Sequence, residues 1–305
     1  MPELPEVETI RRQLEPEVVG RRIEAVEVLD ERWTRPDPSE RLVEALEGRT
    51  IKAVERRGKY LVLRLDGHRA LVMHLRMTGN LLLQRAESES AAELGGPRLY
   101  EAPAELRHLR AAIRLDDGSR LLYADVRRFG HAIVLDGFGL EGYLDARLGV
   151  EPLSGELTAE TLARLAAGRR APLKSFLLDQ SAIAGIGNIY ADEALHRAGL
   201  HPLSQAGSLR PEDCEALRSA IVETLEAGLR TGGASIDDYR DARGEQGTMQ
   251  EEFLVHTREG EPCRRCGTEI ERIVVAGRST YFCPGCQRRL RARPRRRPRT
   301  SRSGR

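Results

Sequence analysis

The sequence predicts an α+β protein in which an N-terminal β-sandwich flanked by helices precedes a C-terminal helical domain and a zinc β-hairpin. Three observations support this fold class: short strand patterns follow one another over 51–135, helical patterns dominate from about 154, and two CxxC pairs stand near the end. Consecutive strands without intervening helices favour a sandwich or barrel over βαβ units. We place the units at 1–150, 151–240, 241–290 and 291–305.

The N-terminal unit begins with a helix over 5–19, because its apolar residues recur at helical spacing and Gly20 follows. The patterns predict strands at 51–65, 69–83, 109–115, 120–124 and 131–135. Asp116-Asp117-Gly118 is a tight hairpin signal between two of them. Residues 85–105, rich in Glu, Ser, Ala, Gly and Pro, predict a long polar loop.

Helical patterns fill the second unit. They cover 158–167, 172–179, 189–197 and 211–230. Ser181–Asn188, between the second and the third, is too glycine-rich to be helical and predicts a turn. Cys214 shares a helical face with apolar residues and is expected to be a buried core thiol.

The other four cysteines form two CxxC pairs with zinc-ligand spacing. Cys263-Arg-Arg-Cys266 and Cys283-Pro-Gly-Cys286 are separated by sixteen residues. Four thiolates close a tetrahedral site, so this zinc is expected to be structural. No secretory signal is evident, which favours zinc over disulfides. Alternation around Gly277-Arg278 predicts a β-hairpin with Arg278 at its tip.

The charge of the chain is unevenly distributed. The formal net charge of +2 by itself argues against a nucleic-acid partner. Eight of the 49 basic residues lie in 291–305, which contains no acid, so residues 1–290 carry 41 basic and 47 acidic residues, a charge of −6. Such a tail is either a disordered arm with affinity for polyanions or a solvated extension. No stretch approaches the roughly 18 apolar residues of a membrane helix, so we expect no membrane partner.

Two features point to amine chemistry. The basic residues include only three lysines, Lys52, Lys59 and Lys174, and a lysine retained in an arginine-rich chain suggests a role for a titratable amine. Removal of Met1, expected before a small residue, would leave the secondary amine of Pro2. A secondary amine can attack an electrophilic sugar carbon and form an iminium, with Glu3 as acid or base. A Pro-Glu start is common, so these residues alone decide nothing.

The first twelve residues, Met-Pro-Glu-Leu-Pro-Glu-Val-Glu-Thr-Ile-Arg-Arg, closely resemble the N-terminus of the bacterial formamidopyrimidine-DNA glycosylases, which repair oxidised purines. The resemblance covers roughly 1–290. Further motifs follow in the family's order: Arg56–Leu61, His74–Gly79, Asp125–Gly130, Gly185–Tyr190 and the CxxC pairs. It implies a helix–two-turn–helix element and a bifunctional DNA glycosylase/AP lyase with one structural zinc. The implied partner is double-stranded DNA containing oxidised bases or abasic sites, bound by a monomer in the bacterial cytoplasm, on the nucleoid.

The resemblance also implies catalytic roles for four residues. Pro2 would attack the anomeric carbon of the deoxyribose and displace the damaged base. Glu3 would protonate the sugar ring oxygen and later shuttle protons. Lys59 would lie near the phosphate and the damaged sugar for the β,δ-elimination steps, and Arg278 would hold the phosphate beside the lesion.

The implied DNA contacts fall into two groups. Met77, Arg127 and Phe129 would fill the space left by a nucleotide that leaves the base stack, with Arg127 facing the orphaned cytosine. The remaining implied DNA-binding residues are His74, His108, Arg169, Lys174 and Asn188. Asn188 opens a helix, whose N-terminus favours phosphate.

Three segments depart from the family pattern. Val126 replaces the proline of Asp-Pro-Arg-Arg-Phe-Gly, Val-His-Thr-Arg at 255–258 replaces Val-Tyr-Gly-Arg, and the 85–105 loop is longer than usual. We expect the last two segments to lie away from the chemistry.

Two alternatives remain open at this stage. Endonuclease VIII, the sister glycosylase for oxidised pyrimidines, shares Pro2, Glu3 and the architecture, although Arg127 and Phe129 favour the purine branch. A non-catalytic damaged-DNA-binding protein would also use a zinc hairpin and a basic tail, but the joint presence of Pro2, Glu3 and Lys59 argues against it.

Overall fold

The computed structural model describes residues 2–86, 108–236 and 238–291 of the chain. These residues form a β-sandwich, a helical body and a two-stranded hairpin, which confirms the α+β fold class. Met1, nearly all of the 85–105 loop and the arginine-rich tail beyond Arg291 lie outside the described residues. Within the described ranges, no helix is long and apolar enough to cross a lipid bilayer.

The sandwich consists of two antiparallel four-stranded sheets. In chain order its strands are β1 (Ile23–Val28), β2 (Ile51–Arg57), β3 (Tyr60–Leu65), β4 (Arg69–His74), β5 (Gly79–Gln84), β6 (Leu109–Leu115), β7 (Arg120–Asp125) and β8 (His131–Asp136). One sheet has the order β1-β6-β7-β5 and the other β2-β3-β4-β8. The predicted strands 51–65 and 69–83 are each divided by a turn, and β1 was not predicted.

Strand β3 shows why its sequence is a nearly continuous apolar run. Leu61, Leu63 and Leu65 face the core between the two sheets. Tyr60 and Val62 point to the opposite face, where they pack against a helix over 137–145. Alternate residues of a strand point to opposite faces, so a strand covered on both faces needs apolar residues at every position.

Seven α-helices lie in the described residues. They are α1 (Leu4–Val18), α2 (Ser39–Leu46), α3 (Gly137–Asp145), α4 (Ala159–Ala166), α5 (Leu173–Leu177), α6 (Asn188–Arg197) and α7 (Pro211–Arg230). The structure confirms the five predicted helices and adds α2 and α3. The hairpin consists of β9 (Glu271–Val275) and β10 (Arg278–Phe282), so Arg278 begins β10 directly after the Ala276-Gly277 turn instead of occupying the tip.

Helix α1 joins the sandwich to the helical body. Val7, Ile10 and Leu14 belong to the sandwich core, whereas Leu4 belongs to the core of the helical body. Tyr239, far along the chain, also packs in the sandwich core. The N-terminal residues therefore lie at the junction of the two bodies, and the unit boundaries at 150, 240 and 290 stay predictions.

We expect Leu4→Ala to lower the free energy of unfolding by about 2–5 kcal/mol, because it leaves a cavity in a fully buried site. Val19→Ala is the control: Val19 is 41% exposed, so its loss is expected to change stability by no more than about 0.5 kcal/mol. Urea unfolding measures both values. Equal effects of the two substitutions would contradict the packing of Leu4.

Candidate active site

The N-terminal residues are held in a buried position by main-chain hydrogen bonds. Pro2 and Glu3 are both buried. The main-chain N of Glu3 donates to Oε2 of Glu6 at 2.9 Å, and the N of Leu4 donates to the carbonyl of Gly185 at 3.1 Å. The first bond follows a capping-box pattern, in which a residue three positions inside a helix reaches back to the N-cap. Pro2 is thereby fixed directly before helix α1.

Glu3 places its carboxylate against the first turn of α6. Its Oε1 accepts from the N of Ile189 at 3.1 Å, and its Oε2 is buried without a hydrogen-bond partner among the described residues. A side chain on Gly187 would overlap the Glu3 carboxyl group, so this close approach requires glycine there. A buried carboxylate oxygen without a partner is unusual and marks a position where a bound molecule can supply one.

Glu6 and Lys59 surround Glu3 with buried charge. Glu6 accepts from the Tyr190 hydroxyl and from the N of Ala234, both at 2.7 Å. Burial, and then the charge of Glu3, raise the pKa of Glu6. Burial lowers the pKa of Lys59, and the charges of Glu3 and Glu6 oppose this effect. A lysine with a lowered pKa beside two carboxylates is suited to exchange protons.

A cleft opens on this region and brings several predicted site residues together. Its volume is about 330 Å³. Four of the predicted residues line it: Glu3, Met77, Asn188 and Arg278. The other lining residues include Ile189, Asp238, Tyr239, His256, Thr257 and Ser279. The cleft therefore lies between α1, the start of α6 and the zinc hairpin.

Asn188 and Lys174 meet at the start of α6. The side-chain amide of Asn188 donates to the Ser279 carbonyl of the hairpin at 3.0 Å, and its Oδ1 is buried without a partner in the described part of the chain. Lys174 is 0% exposed, and its Nζ donates to the Asn188 carbonyl at 2.7 Å and to Oδ1 of Asp192 at 2.6 Å. The ammonium of Lys174 is thus engaged inside the protein, and its direct contact with DNA stays a prediction.

The three predicted space-filling residues project from two loops at the edge of the sandwich. Met77 is 39% exposed, Phe129 is 54% exposed, and Arg127 is also exposed, with its Cζ 4.8 Å from the centre of the Phe129 ring. The Asp125 carboxylate holds both loops: it accepts from the Thr78 hydroxyl next to Met77. It also accepts from the main-chain N of Arg127 and of Gly130. Val126, in place of proline, lies exposed on this loop and takes no part in these bonds.

The remaining predicted contacts lie outside the cleft lining. His74 is buried, and its Nδ1 accepts from the N of Arg76 at 3.0 Å. Burial, together with the charge of Arg76, lowers the pKa of His74 to about 2, so its ring is neutral. Arg169 forms an ion pair with Asp179 at 2.7 Å. His108 is half-buried just before β6, and its carbonyl accepts from the N of Asp125.

The four cysteines of the two CxxC pairs form a metal centre. Their sulfur atoms all lie within 4.8 Å of one another, which fits four ligands around one ion. The Sγ of Cys263 also lies 3.5 Å from Nε2 of His196 on α6, so the centre is anchored to the helical body. Four thiolates leave no open position, and the zinc is structural. Cys214 is buried in the helical core, as predicted.

Sequence reasoning missed the residues that support the site. Glu6 had a signal, because it lies three residues after Glu3 in a capping-box arrangement. Asp192 had none, since acidic residues on a helix are usually solvated. The expectation that 255–258 lies away from the chemistry is wrong: His256 and Thr257 line the cleft, and Nδ1 of His256 lies 2.8 Å from Oδ2 of Asp192.

Comparisons with known proteins agree with this geometry. Residues 1–132 match the formamidopyrimidine-DNA glycosylase N-terminal domain, residues 148–240 its H2TH domain, and residues 260–289 the zinc finger found in FPG and IleRS. The chain is 47% identical over 290 residues to the formamidopyrimidine-DNA glycosylase of Chloroflexus aurantiacus, which covers 94% of this chain and 98% of that relative. The enzyme of the same name from Symbiobacterium thermophilum is 48% identical over 290 residues, covering 94% and 89%.

Solved structures show the same likeness. The Lactococcus lactis Fpg in complex with DNA containing an abasic site has a TM-score of 0.82 at 36% identity, covering 94% of this chain and 100% of that chain. The wild-type Lactococcus lactis Fpg in complex with DNA containing N7-benzyl-Fapy-dG also has a TM-score of 0.82, at 37% identity and with the same coverage.

We expect the purified protein to contain one zinc ion per chain and Cys283→Ser to lose it, because the fully buried Cys283 supplies one of four ligands. Loss of the metal is expected to speed hydrogen exchange in β9 and β10. Cys214→Ala is the control, since Cys214 lies outside the cluster. Elemental analysis measures the zinc content of each variant. Zinc retained at full stoichiometry in Cys283→Ser would contradict the assignment of Cys283 as a ligand.

Proposed function

Because the chain belongs to the formamidopyrimidine-DNA glycosylase family, we propose that Pro2, Glu3 and Lys59 carry out the chemistry of this protein, a DNA glycosylase/AP lyase of base excision repair. Its substrate is double-stranded DNA with oxidised bases or abasic sites. The family matches favour this activity over an endonuclease VIII-like or non-catalytic protein. One observation carries the assignment of residues: the buried Glu3 carboxylate, with an unpartnered oxygen, lies directly after Pro2 and lines the cleft.

The first step follows from the position of the N-terminus. Once Met1 is removed, the secondary amine of Pro2 attacks C1′ of the damaged nucleotide, the bond from C1′ to the base breaks, and the proton lost by the amine balances the one taken up by the departing base. Glu3 protonates the ring oxygen, which opens the sugar and leaves an iminium between C1′ and Pro2. The fixed position of α1 makes this attack effectively intramolecular.

The elimination steps need a group that moves protons beside the sugar. Lys59 suits this role because its amine is buried and its pKa is lowered, so it can act as base as well as acid. Arginine cannot replace it, since a guanidinium stays protonated. Loss of the 3′ and then the 5′ phosphate from the sugar completes the β,δ-elimination.

The DNA is proposed to lie across the exposed loops and the hairpin. Met77, Arg127 and Phe129 fill the gap left by the flipped nucleotide, because apolar wedges and an arginine are the side chains that replace a base in the stack. Arg278 and Asn188 bind the backbone phosphates beside the cleft. Since the substrate is chromosomal DNA, we place the protein on the nucleoid in the bacterial cytoplasm.

We expect borohydride to trap a covalent adduct between Pro2 and a duplex that contains 8-oxoguanine opposite cytosine, because the reagent reduces the iminium.

Glu3→Gln is expected to slow single-turnover excision by about 10²- to 10⁴-fold, the usual loss when an acid–base group is removed. Glu44→Gln, on the exposed side of α2, is the control. Excision from thymine-glycol duplex is expected to be slower than from 8-oxoguanine:cytosine.

The absence of an adduct with the wild-type protein would contradict the iminium mechanism. An undiminished adduct after the Pro2 amine is blocked would show that another residue is the nucleophile. Sequencing of the adduct from its N-terminus identifies the attached amine and shows whether Met1 has been removed.

We propose that the tail adds salt-sensitive, nonspecific affinity for DNA. Deletion of 291–305 is expected to weaken binding at moderate salt and to reduce the salt dependence by up to about 0.9 per arginine that meets a phosphate. Single-turnover excision at saturating enzyme is expected to stay the same. A second variant replaces the eight arginines by serine and keeps the length of the tail constant, which separates the loss of charge from the loss of length. Fluorescence anisotropy measures binding, and an unchanged salt dependence in both variants would refute a role for the tail.

A further inference from the structure

A chain of buried polar groups leads from the wall of the cleft to Glu3. Nδ1 of His256 lies 2.8 Å from Oδ2 of Asp192, and Oδ1 of Asp192 accepts from Nζ of Lys174 at 2.6 Å. Nζ of Lys174 also donates to the Asn188 carbonyl at 2.7 Å. That carbonyl belongs to the same peptide group as the N of Ile189, which donates to Oε1 of Glu3 at 3.1 Å.

The direction of each hydrogen bond follows from chemistry. A carboxylate only accepts, so Nδ1 of His256 carries the hydrogen and donates to Asp192. The ammonium of Lys174 then polarises the peptide group between Asn188 and Ile189. The N–H of Ile189 becomes a stronger donor to Glu3 as a result. Hydrogen bonds in series strengthen one another in a low-dielectric interior. The donor on His256 therefore influences the strength of the hydrogen bond that Glu3 accepts from Ile189.

His256 is held at the outer end of this chain of polar groups by two aromatic rings and a main-chain hydrogen bond. Its ring packs edge-on against Phe253, with the centres 5.5 Å apart, and against Tyr281, with the centres 5.0 Å apart. Its main-chain N donates to the buried carboxylate of Glu193 at 2.9 Å. Two consecutive acids of α6, Asp192 and Glu193, thus bind the side chain and the main chain of the same residue. This double attachment fixes the orientation of the imidazole.

Asp192 shares its charge between two donors, which makes His256 important to Lys174. Both Asp192 and Lys174 are almost completely buried, and a buried ammonium is stable only while its carboxylate partner keeps its orientation. Without a donor at Oδ2, the carboxylate is free to rotate away from the ammonium or to leave an oxygen unsatisfied. His256 removes this freedom.

We propose that His256 is a positioning residue of the excision reaction, which acts through Asp192 and Lys174 on the peptide group that binds Glu3. The inference rests on the proposed role of Glu3 in excision. It assigns a function to the 255–258 segment, where this sequence has histidine in place of the tyrosine that the family resemblance predicts. His256 itself need not touch the DNA.

The test compares four substitutions in the full-length, zinc-containing protein. His256→Phe keeps the ring packing but removes the donor, and is expected to slow single-turnover excision of 8-oxoguanine by about 10- to 100-fold, the range that small displacements of catalytic groups produce. His256→Asn, whose amide nitrogen reaches the place of Nδ1, is expected to restore the rate to within about fivefold of wild type. His256→Gln places its amide farther out and is expected not to restore it. His68→Asn, on an exposed turn, is the control.

The comparison of Asn with Gln keeps the proposal testable even where His256→Phe does not fold. Equal rates for Asn and Gln would overturn the proposal. Binding to a duplex with a tetrahydrofuran abasic-site analogue is expected to change by less than about threefold, because the chain of bonds uses the main-chain carbonyl of Asn188 and leaves its side chain, the proposed phosphate contact, in place. A loss of binding as large as the loss of rate would instead make His256 a direct DNA contact and overturn the positioning role.

A double-mutant cycle tests the route through Asp192. Asp192→Asn alone is expected to slow excision at least as much as His256→Phe, and the double variant is expected to be no slower than Asp192→Asn. Additive losses would show that His256 acts independently and would refute the proposal. Borohydride trapping by the wild-type protein is measured in parallel: if it fails, the proposed function is wrong, whereas unaffected variants of an active wild type contradict only the present inference.

Discussion

The burial of the Glu6 carboxylate is the constraint on which the rest of the site depends. A carboxylate without water must find donors within the protein, and Glu6 finds one nearby and two on distant segments: the main chain of Glu3, the hydroxyl of Tyr190 and the main chain of Ala234. Any displacement of these segments leaves a buried charge unsatisfied. The N-terminus, helix α6 and the segment after α7 are consequently held in one arrangement, and the residue after Met1 has a fixed position.

Burial also explains why this arginine-rich chain retains lysine at two positions. Lys59 and Lys174 are both buried, with carboxylates nearby and lowered pKa values. A guanidinium would bring a larger, permanently charged group into the same space. An ammonium fits a single carboxylate or carbonyl, and the lowered pKa of Lys59 makes its proton easier to lose than that of an exposed lysine. The two lysines thus share one physical property, burial beside carboxylates, whereas the proposed mechanism uses only Lys59 as a proton carrier.

The surface around the cleft follows a different principle, in which a buried acid organises exposed side chains. Asp125 accepts hydrogen bonds from the main-chain N of Arg127 and of Gly130 and from the Thr78 hydroxyl next to Met77, so two loops present their exposed residues together. The zinc centre does the same for Arg278, because four thiolates stabilise a hairpin too small to have its own core. The exposed residues that are proposed to contact DNA therefore depend on buried or metal-bound groups for their positions.

The sequence by itself determined the fold class and the zinc ligands, because strand and helix periodicity and CxxC spacing are local signals. It also yielded the resemblance that implies most of the site. Only the tertiary structure decided that Lys174 is buried, that Glu6 holds the N-terminus, and that His256 belongs to the cleft. These facts depend on residues more than a hundred positions apart or on different elements, and hydrogen bonding between such groups leaves no periodic trace in the sequence.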